Sequence, residues 1–134
     1  MINLPDDQKI WVPWMRRSIQ LALLAEGRTS PNPLVGAIVM DSRGQLVGEG
    51  FHSGAGKAHA EIEALSQSGD KSVDGTLVVT LEPCCHQGLT PPCTEAIIRA
   101  GLKKVVVGMV DPDPRVSGNG ISRLRDSGIE VIEG

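Results

Sequence analysis

The sequence predicts an α/β fold, a three-layer α/β/α sandwich built on a mixed sheet of about five strands. Three observations carry this. Short β-branched apolar runs alternate with helical periods over the second half of the chain. A hairpin pattern around Asp41-Ser42-Arg43-Gly44 precedes them. The 134 residues, 40% hydrophobic and 22% charged, suit one packed domain without a second core.

Residues 1–10 are largely polar and are expected to be loosely ordered. From Trp11 to Glu26 the residues Trp14, Ile19, Leu21, Ala22, Leu23 and Ala25 fit one helical face, and Gly27 is a natural stop. Thr29-Ser30-Pro31-Asn32-Pro33 follows as a stiff loop, its prolines leaving Asn32 little freedom. It reads either as a simple connector or as an arm presenting Asn32, whose amide both donates and accepts, to a heterocycle edge. Leu34 to Met40 is a near-continuous apolar strand, buried on both faces. Leu46 to Phe51 returns as its hairpin partner, with His52 at its end.

Ser53 to Lys57 is glycine-rich. Ala58 to about Ser68 is helical, with Ile62 and Leu65 inward. Gly69 to Gly75 is a surface connection, and Thr76 to Leu81 a β-branched strand that feeds into Glu82-Pro83-Cys84. Thr90-Pro91-Pro92-Cys93 reads as a helix start, with Thr90 as N-cap and Pro91 at the first helical position. That helix runs to Ala100, with Ile97 and Ile98 inside and Gly101 as its stop. Lys103 to Val110 is a core strand, followed by Asp111-Pro112-Asp113-Pro114. A helix over about Gly120 to Asp126 and a strand over Ile129 to Ile132 complete the order. Strands joined by crossover helices are expected to be parallel, with right-handed connections.

Ligands of open α/β sheets bind beyond the carboxyl ends of strands. Cys84 and Asp111 both fall there. His59, Cys84 and Cys93 supply one imidazole and two thiols, the three-ligand set of a catalytic zinc that keeps one position for water. Glu61 is the spare carboxylate. It is read as the proton carrier and not as a ligand, because its role needs free oxygens. The combination His-x-Glu with Pro-Cys and a later Cys is that of hydrolytic zinc sites that remove amino groups from heterocycles. Residues at i and i+2 do not share a helix face, so His59 must lie at the helix entry if it and Glu61 reach one site. Cys93 in a first turn would be favoured as thiolate. A structural-only reading of three cysteines is disfavoured by the joint pattern. Cys85 is left out of the ligand set, since its side chain should point elsewhere.

The net charge of −3 and only three aromatic residues disfavour a nucleic-acid reader, which wants a basic surface and stacking platforms. No apolar signal run opens the chain and no segment reaches membrane-spanning length. An odd cysteine count without a secretory signal points to the reducing cytoplasm.

Thr29-Ser30-Pro31-Asn32-Pro33-Leu34-Val35-Gly36, Gly50-Phe51-His52, His59-Ala60-Glu61, Thr80-Leu81-Glu82-Pro83-Cys84, Thr90-Pro91-Pro92-Cys93 and Asp111-Pro112 together carry a resemblance. From about Trp14 to Gly134 the chain resembles the deaminase domain of the riboflavin-biosynthesis deaminase/reductases, within the cytidine deaminase-like superfamily. The Thr-Pro-Pro-Cys segment is specific, since cytidine, guanine and tRNA-adenosine deaminases usually carry only two residues between the paired cysteines. The resemblance implies a cytidine deaminase-like fold, zinc at His59, Cys84 and Cys93, and Glu61 as proton shuttle. It implies hydrolytic loss of the ring 2-amino group of 2,5-diamino-6-(5-phosphoribosylamino)pyrimidin-4-one, with ammonia released. Asn32, His52, Thr90 and Asp111 match family positions that touch the substrate. It further implies self-association as a homodimer or larger homo-oligomer. The family's reductase domain is absent from this sequence, so reduction would fall to a separate protein or to the rest of a longer chain.

Two departures bear on the substrate. Leu89 stands where the family usually has Arg or Lys, and Asp113 where it usually has Asn. One lost cation and one gained anion disfavour a nearby phosphate, and a lost charge-assisted hydrogen bond typically costs about 1.5–3 kcal/mol. A related zinc deaminase acting on another aminopyrimidine, pterin or purine is therefore the alternative. A catalytically silent zinc-binding assembly domain is a further one, disfavoured by the presence of Glu61. Cys85, where Ser is usual, is a mild change.

Overall fold

The computed structural model describes residues 11–24, 35–51, 59–83, 93–109 and 118–133. Its sheet comprises β1 (Gly36–Met40), β2 (Leu46–Phe51), β3 (Thr76–Val79), β4 (Lys104–Val107) and β5 (Glu130–Glu133). The helices are α1 (Val12–Leu23), α2 (Ala60–Ser68), α3 (Cys93–Arg99) and α4 (Asn119–Asp126). The strand order is β2-β1-β3-β4-β5. β1 runs antiparallel to both neighbours, whereas β3, β4 and β5 are parallel. The mixed, five-stranded sheet is thus as the sequence predicts.

The valine-rich runs form strands because both of their faces are covered. Ala37, Val39, Leu77, Val79, Val105, Val107 and Val131 point to one side, where Ala60, Ala64, Ile97, Ile121 and Leu124 of α2, α3 and α4 pack on them. Ile38, Met40, Val78 and Val106 point to the other, against Leu21 with Trp14 and Met15 of α1. Helices on both faces make the three layers.

Two helical faces differ from expectation. In α1, Ile19 and Leu23 are exposed, and Ser18 is fully buried with Leu21 and Ala22. The Ser18 hydroxyl is satisfied locally: its Oγ lies 3.0 Å from the carbonyl of Trp14 and 3.3 Å from that of Val78. A hydroxyl that bonds its own helix loses most of its burial penalty. In α2 the buried residues are Ala60, Glu61, Ala64 and Ser68, while Ile62 and Leu65 are half-buried. The reason lies beneath it. A Cβ on Gly48 would sit 2.1 Å from the Ala64 carbonyl oxygen, and one on Gly50 2.4 Å from that of Ala60. Bare backbone on β2 admits the helix so closely that only small side chains fit between.

Smaller differences concern boundaries. α2 opens at Ala60 and α4 at Asn119. The connection after α2 contains a 3-10 turn, Gly69–Ser72, whose buried Ser72 hydroxyl donates within reach of the carbonyls of Gly69 and Ala100, each 3.0 Å away. The expected loose segment 1–10, the Gly27 stop and the Thr29–Pro33 loop lie outside the described residues.

Candidate active site

The reversed direction of β1 decides which residues meet at one edge of the sheet. Its register pairs Gly36 with Phe51 of β2 and Ala37 with Val79 of β3. Val79 in turn pairs with Val107 of β4. The start of β1 and the ends of β2, β3 and β4 therefore share this edge. It is fastened beyond the regular ladder. The Thr80 N–H donates to the Gly36 carbonyl at 3.1 Å, and the Gly36 N–H to Thr80 Oγ1 at 3.1 Å. The Gly108 N–H donates to Val79 O and the Glu82 N–H to Met109 O, both at 2.9 Å. Val35, Phe51, Pro83 and Met109 are the described residues here nearest in sequence to Asn32, His52, Cys84 and Asp111. Those four candidates, with Thr90 and Asp113, lie outside the described residues.

His59 stands at the helix entry, as the i, i+2 argument requires. It is the N-cap of α2, in extended conformation at φ −69° and ψ 160°, and its side chain makes no capping hydrogen bond. The imidazole turns instead to the start of α3, where His59 Nδ1 and Cys93 Sγ lie 3.1 Å apart. The two residues are 34 positions apart in sequence. Cys93 is only 1% exposed. Glu61, in the first turn of α2, is 4% exposed. A buried carboxylate two residues from this imidazole is unusual unless partnered or functional.

The pair fits a metal. Zinc bound tetrahedrally at about 2.0–2.1 Å from nitrogen and about 2.3 Å from sulfur sets those ligands about 3.6 Å apart. The observed 3.1 Å comes within a small side-chain rotation of that separation. Imidazole and thiol are also the donors that zinc prefers. Among the described residues no three His, Cys, Asp or Glu side chains form a metal group. Cys84, the third expected ligand, falls beyond Pro83, outside those residues.

One residue of this edge went unassigned in the sequence reading. Glu82 is 3% exposed, and its carboxylate accepts from the N–H of Gly118 at 2.9 Å (Oε1) and of Ile121 at 3.1 Å (Oε2). α4 has no acidic residue in its own first turn and no side-chain cap from its N-cap, Gly118. Glu82 supplies from another strand end the acceptors that a helix start lacks. The available signal was a charged residue closing the apolar run Thr76–Leu81, which had to find donors once buried.

Comparison with known proteins agrees with this geometry. Residues 11–109 match the family model described as the cytidine and deoxycytidylate deaminase zinc-binding region. The chain is 60% identical over 120 residues to the riboflavin biosynthesis protein RibD of Synechocystis, covering 90% of this chain and 32% of that protein. It is 50% identical over 121 residues to a diaminohydroxyphosphoribosylamino-pyrimidine deaminase of Buchnera aphidicola, covering 90% of this chain and 82% of that one. Its structure superposes on RibD of Acinetobacter baumannii with a TM-score of 0.92 at 47% identity, covering 96% of this chain and 36% of that one. The chain thus spans about a third of the length of the RibD proteins it matches. A cyanophage dCMP deaminase, 23% identical with a TM-score of 0.71, shares the fold.

Proposed function

The chain belongs to the cytidine and deoxycytidylate deaminase family, and from that premise we propose that it hydrolytically deaminates 2,5-diamino-6-(5-phosphoribosylamino)pyrimidin-4-one in riboflavin biosynthesis. The observation that carries this reading is the contact of His59 with Cys93 beside a buried Glu61. The substrate class follows the Buchnera relative, a diaminohydroxyphosphoribosylamino-pyrimidine deaminase that matches 90% of this chain.

His59 and Cys93, with Cys84, would hold the zinc. Zinc, when bound there, acidifies the attacking water, whose pKa in zinc hydrolases falls from about 15.7 to about 7. Glu61 takes a proton from that water and returns it to the ring nitrogen next to the reacting carbon. The water oxygen bonds to C2 and the C2–N bond breaks. Glu61 takes the remaining proton of the new C2 hydroxyl and passes it to the departing exocyclic nitrogen, which leaves as ammonia as the C2–O group becomes a carbonyl. Burial of Glu61 keeps both proton transfers out of bulk solvent. Asn32, His52, Thr90, Asp111 and Asp113 are the proposed substrate contacts. The reading includes a reducing, cytoplasmic setting and self-association. Among the described residues no helix is long and apolar enough to cross a membrane. A reductase, separate or attached, would consume the product, since a structural relative from Thermotoga maritima is named as both this deaminase and a 5-amino-6-(5-phosphoribosylamino)uracil reductase.

Leu89 and Asp113 favour a second reading, an amino-heterocycle without phosphate. The test is ammonia release by the zinc-loaded protein on the phosphorylated diaminopyrimidinone and on its phosphate-free form. Turnover of the phosphorylated compound supports the proposal. Preference for the phosphate-free form, or no turnover of either, overturns the substrate assignment.

A further inference from the structure

We propose that Glu82 is a positioning residue that sets the strand end leading into Cys84 against the start of α4, and so completes the metal site. The inference rests on the deaminase reading for the role of Cys84, but its observations are independent of it. Glu82 is held at three backbone points. Its own N–H donates to Met109 O at 2.9 Å, and its carboxylate accepts from Gly118 and Ile121. Met109 and Gly118 are the described residues that flank segment 110–117, the segment carrying Asp111 and Asp113. One buried residue therefore ties both flanks of that segment to the strand end two residues before Cys84, the Met109 flank through its backbone N–H and the Gly118 flank through its carboxylate.

The contact is close as well as polar. A Cβ on Gly120 would lie 2.1 Å from the Pro83 carbonyl oxygen and 3.2 Å from Glu82 Oε2. α4 thus rests directly on the peptide that precedes Cys84, and only a glycine admits it. The carboxylate is needed in both halves. Glutamine in its place accepts from one N–H through its oxygen and sets an NH2 donor against the other. Residues that orient a ligand without touching the metal typically alter affinity or activity about 10–100-fold when changed.

The experiment compares wild type, Glu82→Gln and Gly120→Ala. Each purified protein, stripped of metal, is titrated with zinc against a chromophoric chelator. Thermal melts of the metal-free proteins are recorded in parallel, with kcat and KM on the phosphorylated diaminopyrimidinone. Both variants are expected to bind zinc about tenfold or more weakly. kcat should fall more than KM rises, because the reacting centre and not the substrate is misplaced. The cobalt(II)-substituted variants should show altered visible absorption. The proposal is overturned if the variants melt lower yet bind zinc within twofold of wild type with an unchanged cobalt spectrum, since Glu82 would then be only a helix cap. If Glu82→Gln is too unstable to purify, Gly120→Ala alone decides by the same measurements. Wild type that binds zinc but turns over no pyrimidine overturns the substrate reading, and the zinc comparison still decides the role of Glu82.

Discussion

Replacing Gly50 by alanine should misplace His59 from beneath. The new Cβ would lie 2.4 Å from the Ala60 carbonyl oxygen and 2.6 Å from Glu63 Cβ, where ordinary contact begins at 3.4 Å. The first turn of α2 must therefore lift by about 1 Å, the difference between 3.4 and 2.4 Å. Its neighbours leave little room to absorb this, since Gly48 lies as close under Ala64 one turn on. Overpacking of this kind costs about 1–3 kcal/mol. For a domain of this size that lowers Tm by about 4–12 °C. Ala60 is bonded to His59, so the 3.1 Å approach of His59 to Cys93 moves with it. Zinc affinity, measured by chelator competition, should fall about tenfold or more. Gly44→Ala is the control. That residue has φ +84° with nothing within 4 Å of a built Cβ, so alanine there strains the turn by about 1–2 kcal/mol without touching α2. Wild-type Tm and zinc affinity in Gly50→Ala would refute the packing argument. Equal loss of zinc affinity in both variants would refute the link through α2, leaving only global stability.

Three further outcomes are expected. Glu61→Gln should retain zinc by elemental analysis and lose turnover by about 10²–10⁴-fold, because the amide cannot carry a proton; full activity would remove Glu61 from the mechanism. Leu89→Arg should tighten the phosphorylated substrate about tenfold in KM and leave the phosphate-free form unchanged, and equal effects on both would place the phosphate elsewhere. The Asp41 carboxyl is held below its ordinary value of 3.8 chiefly by the Gln45 N–H; desolvation opposes this, and the Arg43 N–H adds to the lowering. A lowered folded pKa means its contribution to the hairpin is present above the unfolded value and lost as pH falls through the folded one. Carbon-detected NMR titration should therefore place the Asp41 midpoint below that of an unfolded peptide, and Asp41→Asn should abolish this acid dependence.

The strands were legible because burial on both faces leaves no polar position to blur them. Val105, Val106 and Val107 are all buried although successive side chains face opposite layers. Helical faces were less legible, because an apolar count cannot weigh local satisfaction or available space. Ser18 lies inside since its hydroxyl has acceptors in Trp14 and Val78, and Ile19 lies outside, 47% exposed. In α2 the expected inward Ile62 yields to Ala60 and Ala64 because the helix rests on glycine backbone. Of the site, the approach of His59 to Cys93 was readable from ligand chemistry, which forces residues 34 apart to meet. Glu82 was not, because its donors are backbone N–H groups, Gly118 and Ile121, that no side-chain pattern announces.

The same geometry explains how one edge of the sheet gathers the start of β1 and the ends of β2, β3 and β4. Had β1 run parallel to β3, its start would lie at the opposite edge, away from the strand end that precedes Cys84. Antiparallel insertion brings Gly36 beside Thr80 instead, and the pair is locked by two hydrogen bonds of 3.1 Å. The helices then set depth. α2 descends onto Gly48 and Gly50, and α4 onto Pro83, each at a point where a single Cβ would intrude. His59 is thus positioned by backbone contact, and the strand end before Cys84 by backbone contact together with the buried Glu82 carboxylate. A site fixed this way is insensitive to most surface changes and acutely sensitive to a single methyl group at Gly50 or Gly120.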